Sequence, residues 1–202
     1  KECEIRPADI FNQYLALSAK DARDLVRNSA SFEAINCPAC DCEYKTWHCM
    51  KNEFMFQRCM ECATLYCSPR PNEKQLEDFY ANSPSTNFWV KEFFPRVMDA
   101  RREKLFKPKA KEIVECFDLR KFQPKTVCDV GAGYGLLLDE LQKLWPDSDF
   151  VAIEPSQESS QICRNKGYET IEKTVENCQE AYQKFDCVIC MEVVEHVQNP
   201  KK

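Results

Sequence analysis

The 202-residue sequence holds only four glycines, and its uninterrupted apolar runs are a few residues long, as in Leu136–Leu138 and Cys187–Met191. A transmembrane helix needs roughly 20 apolar residues in a row, so none is encoded. The first residues lack the charged-then-apolar pattern of a secretory leader. Because the sequence opens on Lys1 rather than methionine, further residues are expected ahead of it. An excess of positive charge is missing as well. With 28 bases against 33 acids the net charge is −5, whereas a dedicated nucleic-acid-binding domain is expected to be basic. Low-complexity tracts and internal repeats are absent, which excludes fibrous, disordered and solenoid architectures. One cluster departs from this scarcity: three of the four glycines, Gly131, Gly133 and Gly135, stand at alternate positions.

Cysteine is abundant, with fourteen in the chain. In a short secreted protein that count reads as a disulfide framework. Here the chain is long enough to build its own core, so a reduced, cytoplasmic protein with one metal site is expected instead. Cys37-Pro38-Ala39-Cys40 and Cys59-Met60-Glu61-Cys62 form two C-x-x-C knuckles separated by eighteen residues. Such knuckles aim four thiolates at one tetrahedral ion. Cys37, Cys40, Cys59 and Cys62 are therefore the expected ligands of a closed, structural Zn2+ site, with Cys42, His48, Cys49 and Cys67 as possible substitutes. A third pair, Cys187 and Cys190, falls in a predicted strand, where three-residue spacing points the thiols to opposite faces.

The sequence divides into four regions. Residues 1–36 read as helical, with Ile10, Tyr14 and Leu17 on one face. Ser18-Ala19-Lys20-Asp21 resembles a capping box that would open a second helix there. Residues 37–71 form the cysteine-rich ribbon, where Lys45, Lys51, Arg58 and Arg70 balance Asp41, Glu43, Glu53 and Glu61. Residues 72–118 read as a helical and aromatic linker or lid, containing Phe79, Tyr80, Phe88, Trp89, Phe93 and Phe94, with Pro108 breaking or restarting a helix. Its basic run, Arg101, Arg102, Lys104, Lys107, Lys109 and Lys111, reads as a solvated helix face, with phosphate binding as the alternative. In residues 119–202, strands are predicted near 126–130, 150–153, 168–171 and 186–190, with helices over 136–144 and 157–165. Strands alternating with helices indicate an α/β fold with a parallel sheet.

The run Val127-Cys128-Asp129-Val130-Gly131-Ala132-Gly133-Tyr134-Gly135 is an apolar strand leading into a glycine loop and then a helix. Glycines permit the tight turn and let a ligand approach the backbone. The dinucleotide fingerprint would place its third glycine at 136, where leucine stands, so the spacing is G-x-G-x-G and a dehydrogenase is disfavoured. Nineteen residues after Gly135, Glu154 closes the next apolar run. An acid at that strand tip can accept hydrogen bonds from both ribose hydroxyls.

Together these residues resemble a class I S-adenosylmethionine (SAM)-dependent methyltransferase. Asp129 to Gly135 is similar to its first motif, Glu154 to its ribose acid, and Phe185 to Val197 to its fourth-strand motif. The Glu195-His196-Val197 ending is close to ubiquinone-biosynthesis-type and sugar-modifying methyltransferases. The resemblance implies a Rossmann-like SAM-binding domain over 119–202, preceded by helices and the zinc ribbon. It also implies that Asp129, Gly131, Ala132, Gly133, Tyr134, Gly135, Glu154, Pro155, Cys190 and Met191 line the cofactor, with Asp129 toward its amino group and adenine near Thr174, Val175 and Glu176. The family's sheet has seven strands and four are counted, so a sheet stopping after its fourth strand is expected.

Methyl transfer from a sulfonium needs a base only when the acceptor must lose a proton. His196 and Glu192 are the candidates, placed on one helix face by their i, i+4 spacing. The expected acceptor is a small molecule: a sugar, a glycan precursor or a quinone-like compound. The alternatives are an RNA methyltransferase, against which the neutral ribbon counts, and a zinc-stabilised scaffold, against which the intact glycine loop and Glu154 count. No membrane or nucleic-acid partner is expected, and the sequence assigns no oligomeric state.

Overall fold

A computed structural model of the chain describes residues 2–179 and 184–201. The chain splits into two compact units, one built mainly of Arg6–Arg96 and the other mainly of Val97–Val197.

Helix α1 (Glu2–Ile5) belongs mostly to the second unit; in the first, α2 (Ala8–Arg27) runs unbroken through the position where a second helix was expected. Two facts explain the continuity. No glycine or proline interrupts the segment, and its alanines favour helix. Asp21, the expected reach-back partner of Ser18, instead accepts a hydrogen bond from the Ser85 backbone N–H at 2.7 Å, and Lys20 pairs with Asp24 at 2.9 Å. A three-stranded antiparallel sheet follows: β1 (Lys45–Lys51), β2 (Phe54–Cys59) and β3 (Leu65–Cys67). Asn52 and Glu53 both carry positive φ in the two-residue β1–β2 turn, which matches the strand twist.

Helix α3 (Glu73–Asn82) opens on a capping box between Asn72 and Gln75, and α4 (Pro84–Phe88) passes into a π-helical turn at Trp89–Phe93. The aromatic run is core of this unit. Phe93 is fully buried, stacks on Trp89 at 4.4 Å and meets Phe11 of α2 at 5.8 Å, while Trp89 meets Tyr14 at 4.9 Å.

Helix α5 (Phe94–Arg101), a second π-helical turn (Arg102–Phe106) and α6 (Lys107–Asp118) lead into the second unit, and Pro108 stands in the first turn of α6, where its missing N–H costs nothing. The basic run is largely neutralised. Arg102 binds Asp139 and Glu140, Lys104 binds Glu4, Lys107 binds Glu103 and Lys109 binds Glu112. Four of the six named cations are thus ion-paired, in keeping with the helix-face reading.

The sheet of this unit is parallel throughout. It contains β4 (Thr126–Val130), β5 (Asp149–Ile153), β6 (Glu169–Ile171) and β7 (Cys187–Cys190) in the order β6-β5-β4-β7. Helices α7 (Leu136–Leu144) and α8 (Gln157–Asn165) alternate with the strands. This is the expected Rossmann-like α/β arrangement, and every predicted strand lies within one residue of the observed one. Val127, Phe150, Ala152 and Ile189 pack from the strands against Leu137, Leu138 and Leu141 of α7, with Phe117 of α6 against Trp145. Cys187 is buried and Cys190 exposed, on opposite faces as their spacing requires. No helix among the described residues is long and apolar enough to cross a membrane.

Leu138 is fully buried and Leu119 is 85% exposed. Leu138→Ala is expected to cost about 2–5 kcal/mol through lost burial and a residual cavity, whereas Leu119→Ala should stay within about 0.5 kcal/mol. Urea unfolding midpoints distinguish the two.

Candidate functional site

The carboxyl end of the sheet gathers the sequence-predicted residues around the turn that leaves β4. Gly131 N–H donates to the Ile153 carbonyl at 2.8 Å, tying the turn to the neighbouring strand. Gly131 sits at φ +70°, and a Cβ placed on it would lie 2.4 Å from Val193 Cγ2. Glycine is required there twice over, by backbone conformation and by the close approach of the loop after β7. Gly133 also has positive φ, +54°, but a Cβ there would meet nothing within 4 Å. That side of the loop faces open space. Ala132 and Tyr134 are half-buried between the glycines, and Gly135 begins α7.

Two carboxyl groups flank this loop. Asp129 and Glu154, at the tips of adjacent strands, are only 5% and 8% exposed. Glu154 Oε2 accepts from Gly133 N–H at 2.8 Å, and Oε1 accepts from Ser156 N–H at 2.9 Å. Burial raises its pKa, and those two amides partly offset the rise. Asp129 has no such help: burial, then the charge of Glu154, push its pKa up to about 7. Burial and, in turn, its charge raise the pKa of the neighbouring Cys128, Cys163, Cys187 and Cys190 thiols. Pro155, next to Glu154, is exposed.

Parallel register places Cys190 directly beside Val130, so the tips of β7 and β4 lie together. Met191 packs partly into the core, and Glu192 and His196 are exposed. The expected shared helix face for Glu192 and His196 is not formed. Glu192 has φ +57°, and the only regular structure after it is a single 3-10 turn, Val194–His196. A left-handed residue at 192 cannot start a right-handed helix, and Val193 after it lies against Gly131. A non-glycine residue held in this conformation carries about 1–3 kcal/mol of strain, which clusters at functional sites.

Residues 98–202 match the methyltransferase-domain family, which is just over half of the chain. The chain belongs to that family. Among curated relatives it is 34% identical over 84 residues to the ubiquinone biosynthesis O-methyltransferase of Photorhabdus laumondii, an alignment covering 38% of this chain and 34% of that protein. The mitochondrial counterpart of Dictyostelium discoideum is 35% identical over 92 residues, covering 38% and 28%. The chain thus spans about a third of the length of the curated relatives it matches. Among solved structures, the plantazolicin methyltransferase BpumL in complex with SAH aligns with TM-score 0.48 and 18% identity, over 62% of this chain and 48% of that one.

Within the methyltransferase domain, the region read as adenine-facing forms a short turn, Val175–Asn177, whose Val175 packs against Cys128, Val130 and Ile153. Sequence reading missed several residues that shape the site. Val193 presses on Gly131, Ser160 donates to the Glu154 carbonyl at 2.6 Å, and Cys163 and Lys166 of the α8 end bind loop carbonyls. Their signal is tertiary: each is an ordinary residue made specific by a distant partner.

Ahead of the methyltransferase domain, Cys37, Cys40, Cys59 and Cys62 place their sulfur atoms within 4.8 Å of one another. The two knuckles share one geometry. Asp41 N–H donates to the Cys37 carbonyl and Ala63 N–H to the Cys59 carbonyl, and Asp41 and Ala63 both have positive φ. The Thr64 hydroxyl, 3.1 Å from Cys62 Sγ, holds that thiol's pKa low, at about 6. Among the described residues this is the one metal-type cluster. Cys42 packs beside it, His48 lies exposed at the β1 irregularity, and Cys49 and Cys67 both pair with Phe56 on the sheet.

Gly131→Ala is expected to lower stability by at least about 1–3 kcal/mol from backbone strain, plus the Val193 clash. Adding Val193→Ala should recover the clash but not the strain, a non-additivity readable in urea unfolding. Asp129 supplies a pH dependence. Between its ordinary value of 3.8 and about 7, the native state keeps a proton that the unfolded chain has released. Its contribution to stability therefore falls as pH rises through that window, and Asp129→Asn should flatten the slope of unfolding free energy against pH.

Proposed function

We propose that this chain is part of a SAM-dependent methyltransferase acting on a small-molecule acceptor, with a structural Zn2+ in the four-thiol ribbon. The observation that carries the reading is the pair of buried carboxyl groups, Asp129 and Glu154, beside the open face of Gly133, with no ion pair to either among the described residues. A nucleoside bearing both an ammonium and a sulfonium suits that pocket in charge and hydrogen bonding. Glu154 retains acceptor lone pairs beyond the two amides it already binds, and these would take the ribose hydroxyls. Asp129 would hold the amino group. Gly131, Ala132, Gly133, Tyr134 and Gly135 would cradle the methionine part, with Pro155 bordering the ribose and Cys190 and Met191 closing the far wall.

When bound, SAM supplies an activated methyl group whose transfer is an in-line displacement. The protein's part is to position and desolvate the reactants. Where the acceptor must lose a proton, His196 or Glu192, exposed on the loop after β7, would receive it. The names of the aligned relatives support an oxygen acceptor on a small molecule. The ion-paired basic run and the neutral ribbon speak against an RNA substrate.

The ribbon's donor set suits zinc. Zn–S bonds of about 2.3 Å in a tetrahedron separate the sulfurs by about 3.8 Å, and Cys37–Cys62 and Cys40–Cys59 stand at 3.5 Å. The Tyr66 hydroxyl is buried against Cys37 and Cys59 with no hydrogen-bond partner in the structure. That donor is available to a metal-bound thiolate.

Calorimetric titration with SAM, with NAD as control, tests the cofactor assignment. SAM alone should bind, and its affinity should rise as pH increases toward 7 and Asp129 ionises. Glu154→Ala should weaken binding by about 1–3 kcal/mol through lost hydrogen bonds; unchanged affinity would remove the ribose assignment. Metal analysis should find about one zinc per chain, and a chelator should unfold the ribbon while leaving the amides of β4 and β5 protected.

A further inference from the structure

The outer side of the glycine loop is fastened by residues that no sequence motif marks. Lys166, just past the end of α8, directs its ammonium to the Tyr134 carbonyl at 2.6 Å and to Asp139 Oδ2 at 2.7 Å. Cys163 donates its thiol to the Gly133 carbonyl at 3.3 Å. Asp139 lies in the first turn of α7, its N–H bonded to the Gly135 carbonyl at 3.0 Å. The same carboxylate accepts from Arg102 at 2.7 Å and from the Tyr168 hydroxyl at 2.9 Å. The side chains of Lys166 and Asp139 are 28% and 15% exposed. The pair is therefore less screened than a surface ion pair.

The geometry gives these contacts a specific consequence. Gly133 and Gly135 both hold left-handed conformations, and the peptide units around Tyr134 can rotate at small cost because glycine tolerates either sign of φ. On the inner side, Glu154 holds the Gly133 N–H. On the outer side, Cys163 and Lys166 hold the Gly133 and Tyr134 carbonyls. Arg102 shares the Asp139 carboxylate but directs its other guanidinium nitrogen to Glu140 of α7. It thus separates general support of α7 from control of the loop.

We propose that Lys166 is a positioning residue for SAM binding: by bridging the Tyr134 carbonyl and Asp139 it holds the Gly133–Gly135 segment in the shape that receives the cofactor. The proposal rests on the SAM reading above, and Lys166 acts through the loop without touching the reacting atoms. The test compares Lys166→Met, Lys166→Arg and Arg102→Met in the 202-residue chain, with amide hydrogen exchange of residues 131–135 and the SAM dissociation constant as readouts. Lys166→Met should speed loop exchange and weaken SAM binding by about tenfold, the loss expected for a charged hydrogen bond. Exchange within α7 should stay near that of the unsubstituted chain. Lys166→Arg, which keeps a cationic donor, should restore most of both. Arg102→Met should lower the thermal midpoint while leaving loop exchange and SAM affinity nearly unchanged. Equal effects of Lys166→Met and Arg102→Met, or unchanged loop exchange in Lys166→Met, would overturn the proposal. Should Lys166→Met not fold, Lys166→Gln gives the same comparison. Failure of the unsubstituted chain to bind SAM would count against the cofactor reading, whereas the exchange comparison still decides whether Lys166 controls the loop.

Discussion

Two carboxyl groups buried side by side at neighbouring strand tips, with no ion pair to either among the described residues, are the constraint around which this end of the sheet is arranged. Burying one such group is costly, and burying two is costlier. Glu154 is made tolerable by the Gly133 and Ser156 amides. Asp129, without a comparable donor, holds its proton up to about pH 7. Under the proposed reading, a cationic ligand bound here would offset the stability given up by burying the two groups.

The glycine loop depends on that constraint from both sides. Its inner amide is committed to Glu154, its outer carbonyls to Cys163 and Lys166, and its first residue lies against Val193. Three separate elements, the β5 tip, the α8 end and the loop after β7, therefore converge on five residues of backbone. Glu192, just before Val193, adopts a left-handed conformation. The loop that bears the candidate bases is in this way mechanically joined to the loop that would hold the cofactor.

The ribbon solves a different problem. Three short strands and two knuckles give it a core cluster of only Cys37, Cys59 and Tyr66. So small a core does not stabilise a segment by hydrophobic burial alone, and an ion shared by four thiolates would supply the missing free energy. Its two knuckles repeat one hydrogen-bond pattern around equivalent left-handed residues. The geometry of each is therefore local, and only their approach is tertiary.

What the sequence determined by itself was whatever depends on spacing along the chain. Strand and helix limits around 126–165, the G-x-G-x-G turn, the restart at Pro108 and the opposed faces of Cys187 and Cys190 are consequences of period and residue type. The two knuckles were legible for the same reason. What only the tertiary structure decided depends on partners far apart in the chain. α2 continues past Ser18 because Asp21 is engaged by Ser85, 64 residues away. The basic run reads as a phosphate site or a helix face until its acids are placed, and several of those lie in other segments. Glu192 and His196 have helical spacing, yet Glu192 adopts a left-handed conformation and Val193 lies against Gly131, which no periodicity encodes. Lys166 carries no motif, since a lysine after a helix is common. Its meaning comes from a carbonyl 32 residues away, because a backbone oxygen has no sequence signature and is found only when the chain is folded.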